Sequence, residues 1–253
     1  MKVITFSIFK GGTAKTTSTV NTAAALAKKG KKVLVVDLDQ QASATRYLDL
    51  DPDASPNLYE VFMGVQQAPL AIRKTKHGVD VLSSHVLMAA IEEALEPGDE
   101  TKLSDIIMPL RAEFDFILID TPPGKAMLAF NGLAAADLIL IPASAERMAV
   151  DGVADLINHV QRIMWNKFSL SHQELRILFT MYRSTTNHSP AIVDNARKIW
   201  RDNILSVKIP HSTIFARSYD EKIPVSKLEP QHPGAIAYDV LADWLITYSN
   251  ENA

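Results

Sequence analysis

A short apolar run that breaks at two glycines constrains this 253-residue chain more than any other feature. Residues 3–9 are rich in β-branched and aromatic side chains, which is typical of a strand buried on both faces. Gly11 and Gly12 follow, and the alanine-rich residues 16–29 are predicted to be helical. A strand that leads through a glycine loop into a helix directs loop N–H groups and the positive helix end to one place. The sequence therefore predicts a phosphate-binding loop at residues 10–17.

Two lysines lie within this loop. Lys15 stands where a loop lysine reaches the β- and γ-phosphates of a nucleotide, and the Thr16 hydroxyl beside it is a candidate Mg²⁺ ligand. The standard pattern has a glycine six residues before this lysine and another directly before it, whereas this chain has Phe9 and Ala14 there. Lys10 is an additional lysine, five residues before Lys15. A Gly-Gly turn with two solvated lysines is the alternative interpretation.

Acidic residues follow two further apolar runs. Asp37 and Asp39 come after a predicted strand at residues 32–36, and their spacing of two predicts that both face Mg²⁺ and an attacking water. A second run, residues 116–119, ends at Asp120, which is expected to hold Mg²⁺ through a water molecule because this ion dehydrates reluctantly. Taken singly, the aspartates also fit a polar loop and a strand cap. Their order and spacing after the lysine loop favour one common site.

The alternation of short strands and helices predicts the fold class. The predicted strands are residues 3–9, 32–36, 79–82, 116–119, 138–141 and 176–180, and the predicted helices are residues 16–29, 101–111, 148–165, 189–201 and 233–248. With no repeat or clear linker, this pattern predicts a single α/β domain over residues 1–253. We expect a doubly wound, mostly parallel sheet with helices on both faces. Ligands of such sheets bind beyond the carboxyl ends of the strands, where the lysine loop and the aspartates should meet.

Composition excludes several classes of protein. The chain has no cysteine, which excludes disulfides, thiolate metal sites and iron–sulfur ligation. No apolar stretch approaches the length that spans a bilayer, and the chain runs straight into its first predicted strand, so that we expect no signal peptide and a cytoplasmic location. A net charge of −3 disfavours a protein that coats nucleic acid uniformly.

The lysine loop resembles the deviant Walker A loop of the ParA/MinD family of ATPases, which are P-loop NTPases. The residues that carry this resemblance are Lys10, Gly11, Gly12, Thr13, Ala14, Lys15, Thr16 and Thr17. Residues 37–45 resemble the family's first switch, although positions 40, 42 and 43 depart from its commonest form, and residues 120–124 resemble its second switch. The resemblance implies ATP and Mg²⁺ as cofactors.

The resemblance also implies roles for individual residues. Lys10 would reach across a dimer interface to the partner subunit's nucleotide, and Lys15 would contact the phosphates in its own subunit. Asp39 would polarise or position the hydrolytic water. The implied surroundings of Mg²⁺ are Thr16, Asp39 and Asp120.

The resemblance covers nearly the whole chain, and it is specific in the first 145 residues and looser afterwards. Residues 235–253 carry Asp239, Asp243 and Glu251 but no lysine or arginine, which disfavours the basic membrane-binding helix of MinD-like members. The lack of cysteine disfavours the iron–sulfur branches. Long ParA proteins have a helix-turn-helix before their first strand. Because the first predicted strand lies at the start of this sequence, we expect no such module, and the chain is most similar to short ParA-type (Soj-like) partition ATPases.

This branch implies a homodimer that forms with ATP, binds DNA non-specifically and associates with the nucleoid. Hydrolysis would be slow unless a ParB-like or cargo-adaptor protein stimulates it, and no membrane would take part. Residues 160–227 carry eleven lysines and arginines against five acidic residues, which fits a local phosphate-binding face, although a solvated helical surface has the same pattern. The candidate DNA contacts are Arg183, Lys208, Arg217 and Lys222.

Two other functions remain open on the same fold. One is a MinD-like ATPase that positions proteins on a membrane surface, which the acidic tail disfavours. The other is a small-molecule ligase or kinase, such as a dethiobiotin-synthetase-like enzyme, which would need a substrate pocket. The additional lysine of the loop, Lys10, favours the ATP-dependent, DNA-binding switch over both of these alternatives. Its cargo would be a plasmid, a chromosome or a microcompartment.

Overall fold

One eight-stranded sheet runs through the computed structural model, which describes residues 1–145, 149–165, 174–186 and 188–252. The strands are β1 (Lys2–Phe6), β2 (Val33–Asp37), β3 (Ile72–Lys74), β4 (Asp80–Leu82), β5 (Phe116–Asp120), β6 (Leu138–Ser144), β7 (Glu174–Tyr182) and β8 (Ile204–Pro210). Their spatial order is β3-β4-β2-β5-β1-β6-β7-β8. Every neighbouring pair is parallel except the antiparallel edge pair β3–β4. The prediction of a doubly wound, mostly parallel α/β sheet is therefore confirmed.

Helices connect these strands along the described parts of the chain. They are α1 (Lys15–Lys28), α2 (Ser43–Tyr47), α3 (Leu58–Phe62), α4 (Ala68–Ala71), α5 (Met88–Ala94), α6 (Lys102–Ile107), α7 (Met127–Ala135), α8 (Ala149–His159), α9 (His188–Trp200), α10 (Ile214–Asp220), α11 (Val225–Leu228) and α12 (Pro233–Glu251). A π-helical stretch, Val160–Trp165, extends α8. Among the described residues, no helix combines the length and apolar character needed to cross a bilayer.

The sheet is buried on both faces, as its near-continuous apolar strands require. Adjacent residues of β1 point to opposite sides. Ile4 packs in a cluster with residues of α1 and α12, whereas Val3 packs in a second cluster with residues of α5, α6 and α7. A third cluster joins β6 and β7 to α8 and α9. Both faces of β1 therefore fix the loop that follows it.

Several predicted element boundaries were wrong for local reasons. The first strand ends at Phe6, three residues before the end of its apolar run, because residues 7–9 already belong to the loop. The predicted helix at residues 101–111 is divided into α6 and a 3-10 turn, Met108–Ala112, since the proline within that turn has no N–H to donate. Position 148, at the start of another predicted helix, lies outside the described residues. The edge strands β3 and β8 were not predicted.

The strand register brings the acidic residues together at one edge of the sheet. Asp37 in β2 lies opposite Asp120 in β5, and Asp120 lies opposite Phe6, the last residue of β1. The loop after β1 therefore begins beside both acidic strand ends. This is the edge at which parallel sheets bind ligands.

Candidate functional site

The loop between β1 and α1 has an open concave side. A Cβ added to Gly11 or Gly12 would meet nothing within 4 Å. Helix α1 begins at Lys15, and its N-cap residue, Ala14, makes no side-chain hydrogen bond to the first turn. The N–H groups of that turn are thus free of a side-chain cap and are arranged to bind an anion. The buried Thr13 hydroxyl has no hydrogen-bond partner among the described residues.

Lys15 is a nearly buried cation beneath this loop. Its side chain is 8% exposed, and its Nζ donates a hydrogen bond to the carbonyl of Ile8 at 3.3 Å. Burial lowers the pKa of Lys15, while the negative charges of Asp120 and Asp39 oppose that shift. An ammonium group has three donors, so a single long hydrogen bond leaves most of its capacity for an anionic ligand.

Asp120 anchors the start of α1 to the end of β5. Its fully buried carboxylate accepts hydrogen bonds from the hydroxyls of Thr16 at 2.7 Å and Thr19 at 3.2 Å. Burial raises the pKa of Asp120, and the Thr16 hydrogen bond and the Lys15 charge oppose the rise. Sequence reasoning missed Thr19, although its position one turn after Lys15 was the signal available. A hydroxyl and a carboxylate in contact form a set of oxygen donors that suits Mg²⁺.

Asp37 does not have the position predicted for it. Its Oδ1 accepts a hydrogen bond from Asp39 N at 3.2 Å, and its Oδ2 accepts from Thr45 N at 2.9 Å and Thr45 Oγ1 at 2.8 Å. Burial and the nearby charge of Asp120 raise the pKa of this fully buried carboxyl. The expectation that Asp37 faces a metal ion was wrong, because both of its oxygens hold the protein's own loop and helix α2.

Asp39 is the acidic residue of this pair that borders open space. It is partly exposed and accepts a hydrogen bond from Gln41 N at 3.0 Å, and burial raises its pKa. A cavity of about 210 Å³ lies beside it. The cavity is lined by Leu38, Asp39, Gln40, Gln41, Met88, Glu92, Pro122, Pro123, Ala126 and Leu128. Its walls thus come from both segments that resemble switches.

Lys10 differs from Lys15 in its surroundings. Lys10 is partly exposed and makes no hydrogen bond or ion pair with any described residue. A Cβ added to Gly152 would lie 3.8 Å from Lys10 Cβ, so α8 packs against the base of this side chain. The two lysines of the loop are therefore separated: one is held below the loop and the other is available at its surface.

Phe9, which replaces the first glycine of the standard loop, points into an aromatic cluster. Its ring centroid lies 5.4 Å from that of His159 and 6.3 Å from that of Phe130. The Nζ of Lys125 lies 5.4 Å from the Phe9 centroid, and the Phe9 carbonyl accepts a hydrogen bond from Gly124 N at 2.8 Å. The large side chain thus ties the loop to the segment after β5 and leaves the phosphate side open.

A second cavity of about 210 Å³ adjoins the loop between β1 and α1. Its lining includes Ala14, Thr17, Met181, Pro210, Phe215 and Tyr238. The hydroxyl of Thr180 donates to the Thr13 carbonyl at 3.0 Å, which fixes the loop against β7. The second cavity is therefore in contact with the loop, whereas no residue of the loop lines the cavity beside Asp39.

The four candidate DNA contacts form two groups. Arg183 directly follows β7, and Lys208 lies in β8. Arg183 Nη2 is 3.0 Å from a ring nitrogen of His211, and Lys208 Nζ is 5.3 Å from the Tyr182 ring centroid. Neither makes an ion pair among the described residues.

The second group, Arg217 and Lys222, is already paired with acidic residues. Arg217 lies 2.6 Å from Glu229 and 3.3 Å from Glu221, and Lys222 lies 3.1 Å from Asp49. Because these carboxylates neutralise them, Arg217 and Lys222 attract phosphate less strongly in this arrangement than Arg183 and Lys208 do.

The chain is similar to known proteins over most of its length. A protein-family model described as an AAA domain matches residues 1–177. The sporulation initiation inhibitor protein Soj of Bacillus subtilis is 30% identical over 245 residues, which cover 95% of this chain and 96% of that protein. The chromosome-partitioning ATPase Soj of Treponema pallidum is 31% identical over 244 residues and 95% of each chain. Cobyrinic acid a,c-diamide synthase from Mycobacterium smegmatis with bound ADP and magnesium has a TM-score of 0.86 and 28% identity, covering 100% of this chain and 97% of that one.

Proposed function

The chain belongs to the ParA/MinD family of P-loop ATPases, and we propose that it is a nucleotide-gated switch that partitions or positions cargo on DNA. In this proposal, ATP closes a homodimer, the dimer binds DNA without sequence preference at the nucleoid, and a ParB-like or cargo-adaptor protein stimulates slow hydrolysis. The observation that carries the proposal is the unequal pair of lysines in one loop: Lys15 is buried, whereas Lys10 is partly exposed and makes no hydrogen bond or ion pair with any described residue.

The residues at the loop suit ATP and Mg²⁺. Uncapped helix N–H groups, the open space over Gly11 and Gly12, and the under-used Lys15 ammonium fit a chain of phosphates. Among the described residues, no group of three or more His, Cys, Asp or Glu side chains is arranged to hold a metal. The Thr16–Asp120 oxygens therefore suit an ion that also takes phosphate and water oxygens, as Mg²⁺ does. When bound, Mg·ATP supplies the phosphoryl group that is cleaved.

Each residue then has a role that follows from its position. Lys15 offsets phosphate charge from below the loop, and Thr16 and Asp120 would hold Mg²⁺, with Asp39 on the same side. Asp39 orients the attacking water, since its carboxylate borders the cavity between the two switch segments. One loop supplies limited stabilisation of transition-state charge, which is why hydrolysis alone would be slow. Lys10 adds charge to the partner subunit's site only after the dimer closes.

Replacing Lys10 separates dimer formation from nucleotide binding. Lys10→Ala is expected to retain binding of a fluorescent ATP analogue and to lose both the ATP-dependent dimer and hydrolysis. The matched control is Lys32→Ala, which removes an exposed lysine directly before β2, at the end of the strands opposite to the loop. Light scattering gives the oligomeric state, and phosphate release gives the turnover. Equal turnover by Lys10→Ala and wild type would refute the role across the interface.

The decisive experiment is retention of random-sequence duplex DNA without nucleotide, with ADP and with ATP, over a range of salt. We expect retention with ATP alone. Arg183→Gln and Lys208→Gln should each lower the salt slope by about two, because each substitution removes one phosphate contact per subunit of the dimer, whereas Arg217→Gln should change it less because two glutamates already pair with Arg217. A larger effect at Arg217 would contradict this assignment. Absence of retention in every state would remove DNA as the partner.

A small-molecule ligase is the second candidate, and two observations favour it. The structure with 28% identity is described as a cobyrinic acid a,c-diamide synthase, and a cavity of about 210 Å³ lies beside Asp39. Such an enzyme would consume a defined acceptor in a single turnover, whereas the switch would hydrolyse ATP without one. Sedimentation with liposomes and ATP tests the remaining membrane-surface alternative.

A further inference from the structure

A buried tyrosine hydroxyl joins three helices near the nucleotide loop. Tyr47, the last residue of α2, is fully buried, and so are Ser218 in α10 and, to 1% exposure, Asn21 in α1. Asn21 Nδ2 donates to the Tyr47 hydroxyl at 3.0 Å, and the Tyr47 and Ser218 hydroxyls are 2.6 Å apart. Because Ser218 Oγ donates to the Ile223 carbonyl, the hydrogen bonds run in one direction from Asn21 through Tyr47 to Ser218.

These bonds hold what we call the basic segment, residues 214–228, which carries Arg217, Lys222 and Lys227 against Asp220 and Glu221. Asn21 contributes a second bond, since its Oδ1 accepts from Val225 N at 2.8 Å.

Apolar contacts anchor the basic segment mainly to α12. Ile214 and Val225 are buried in a cluster with Ala235, and the Phe215 ring meets that of Tyr238 edge to face at 6.0 Å. Where α2 ends, the Tyr47 and Tyr219 rings meet edge to face at 5.3 Å, and Asp49 pairs with Lys222 at 3.1 Å. The segment is therefore attached to the switch side of the protein largely through polar contacts.

The other end of α2 is attached to the nucleotide site. Thr45 donates two hydrogen bonds to Asp37, which lies opposite Asp120, and Ala42 N donates to the Asp39 carbonyl at 2.7 Å. Helix α2 has only five residues, so it spans one turn and has no room to bend. A shift of the Asp39 loop must therefore move the Tyr47 end of this helix.

We propose that Tyr47 is a positioning residue that couples the Asp39 loop to the basic segment. The proposal rests on the proposed function, in which nucleotide acts at the loop and the basic segment carries two of the candidate DNA contacts, Arg217 and Lys222, which acidic residues neutralise in this arrangement. Loss of contact between Tyr47 and Ser218 would leave buried polar atoms unpaired, which is costly. The helix and the segment therefore move together and keep this bond.

The test measures amide hydrogen exchange in residues 214–228 with ADP and with a non-hydrolysable ATP analogue. In the wild type, we expect exchange rates to differ between the two states by about fivefold or more, the lower range of coupling between sites. Tyr47→Phe, which keeps the ring and removes the hydroxyl, should bring this ratio close to one and keep nucleotide affinity within about twofold. Tyr219→Phe is the matched control, since that hydroxyl makes no hydrogen bond among the described residues.

A second variant keeps the test valid if Tyr47→Phe folds poorly. Ser218→Ala removes the other side of the same bond, and the double variant should lose no more of the ratio than either single variant. The coupling would be overturned if the effects of the two substitutions on the exchange ratio added in the double variant. It would also be overturned if Tyr47→Phe kept the wild-type ratio, or if the wild type exchanged equally fast in both nucleotide states. DNA retention is measured separately. If the wild type fails to retain DNA but Tyr47→Phe still abolishes the exchange ratio, the DNA function fails and the coupling stands.

Discussion

Glu92 caps a helix to which it is not adjacent in sequence. Its carboxylate, on α5, accepts hydrogen bonds from Met127 N at 2.6 Å and Leu128 N at 2.9 Å, the first two residues of α7. The N-cap residue of α7, Ala126, makes no side-chain hydrogen bond. Helix α7 directly follows the second switch segment, residues 120–124. We therefore expect Glu92 to fix the end of that segment and to stabilise the fold measurably.

The size of the effect follows from the two bonds. A charge-assisted hydrogen bond contributes roughly 1.5–3 kcal/mol, and loss of an N-cap costs about 0.5–2 kcal/mol. Because Glu92 is partly exposed and water can replace some of the loss, we expect Glu92→Ala to cost about 2–3 kcal/mol. Glu92→Gln keeps one acceptor oxygen, so it should cost about 1 kcal/mol. For a chain of this length, these values correspond to decreases of about 5–10 °C and about 3 °C in Tm.

Thermal and urea unfolding followed by circular dichroism measure these differences. Glu93→Ala is the matched control, because Glu93 is the next residue, is exposed and makes no hydrogen bond among the described residues. Glu92→Ala should lower the free energy of unfolding more than Glu92→Gln does, while the m-value stays unchanged. The reasoning is refuted if Glu92→Ala melts within about 1 °C of Glu93→Ala.

Two further predictions concern backbone strain and pH. Ala14 has a φ of 64°, so Ala14→Val should destabilise the protein by about 2 kcal/mol in urea unfolding, whereas Ala14→Gly should leave it equally stable or up to about 1 kcal/mol more stable. Burial and the nearby Lys227 charge lower the pKa of His77, so the unfolded chain binds its proton more readily. Stability from this group is present above pH 6.5 and is lost as pH falls through the folded-state pKa. His77→Gln should flatten this slope by up to about 1.4 kcal/mol per pH unit, measured by urea unfolding across this pH range.

The nucleotide site could be predicted because each of its residues follows from a short local pattern. The lysine loop lies directly after β1, and Asp39 and Asp120 lie at or just after the ends of β2 and β5. Parallel pairing of these strands then brings the residues to one edge. Asp37 was misassigned because its spacing from Asp39 gives no information on Thr45. The two hydrogen bonds that Thr45 donates hold the Asp37 carboxylate inside the protein.

Contacts between distant positions could not be predicted in this way. The bond between Tyr47 and Ser218 spans 171 residues, and that between Glu92 and Leu128 spans 36. No local pattern marks either pair. Strand β8 was missed because its central residues include Ser206 and Lys208, which weaken the apolar pattern of a buried strand.

The residue before Lys10 connects the additional lysine to residues 120–124, the segment that resembles the second switch. A glycine there would lack the ring contacts that Phe9 makes. Phe9 instead packs its ring against Phe130 of α7, and its carbonyl accepts a hydrogen bond from Gly124 in the switch itself. A shift of the second switch must therefore move the backbone at Phe9, and Lys10 is the next residue along. In the proposed dimer, the cation that reaches the partner subunit is thus positioned by the segment beside the nucleotide of its own subunit.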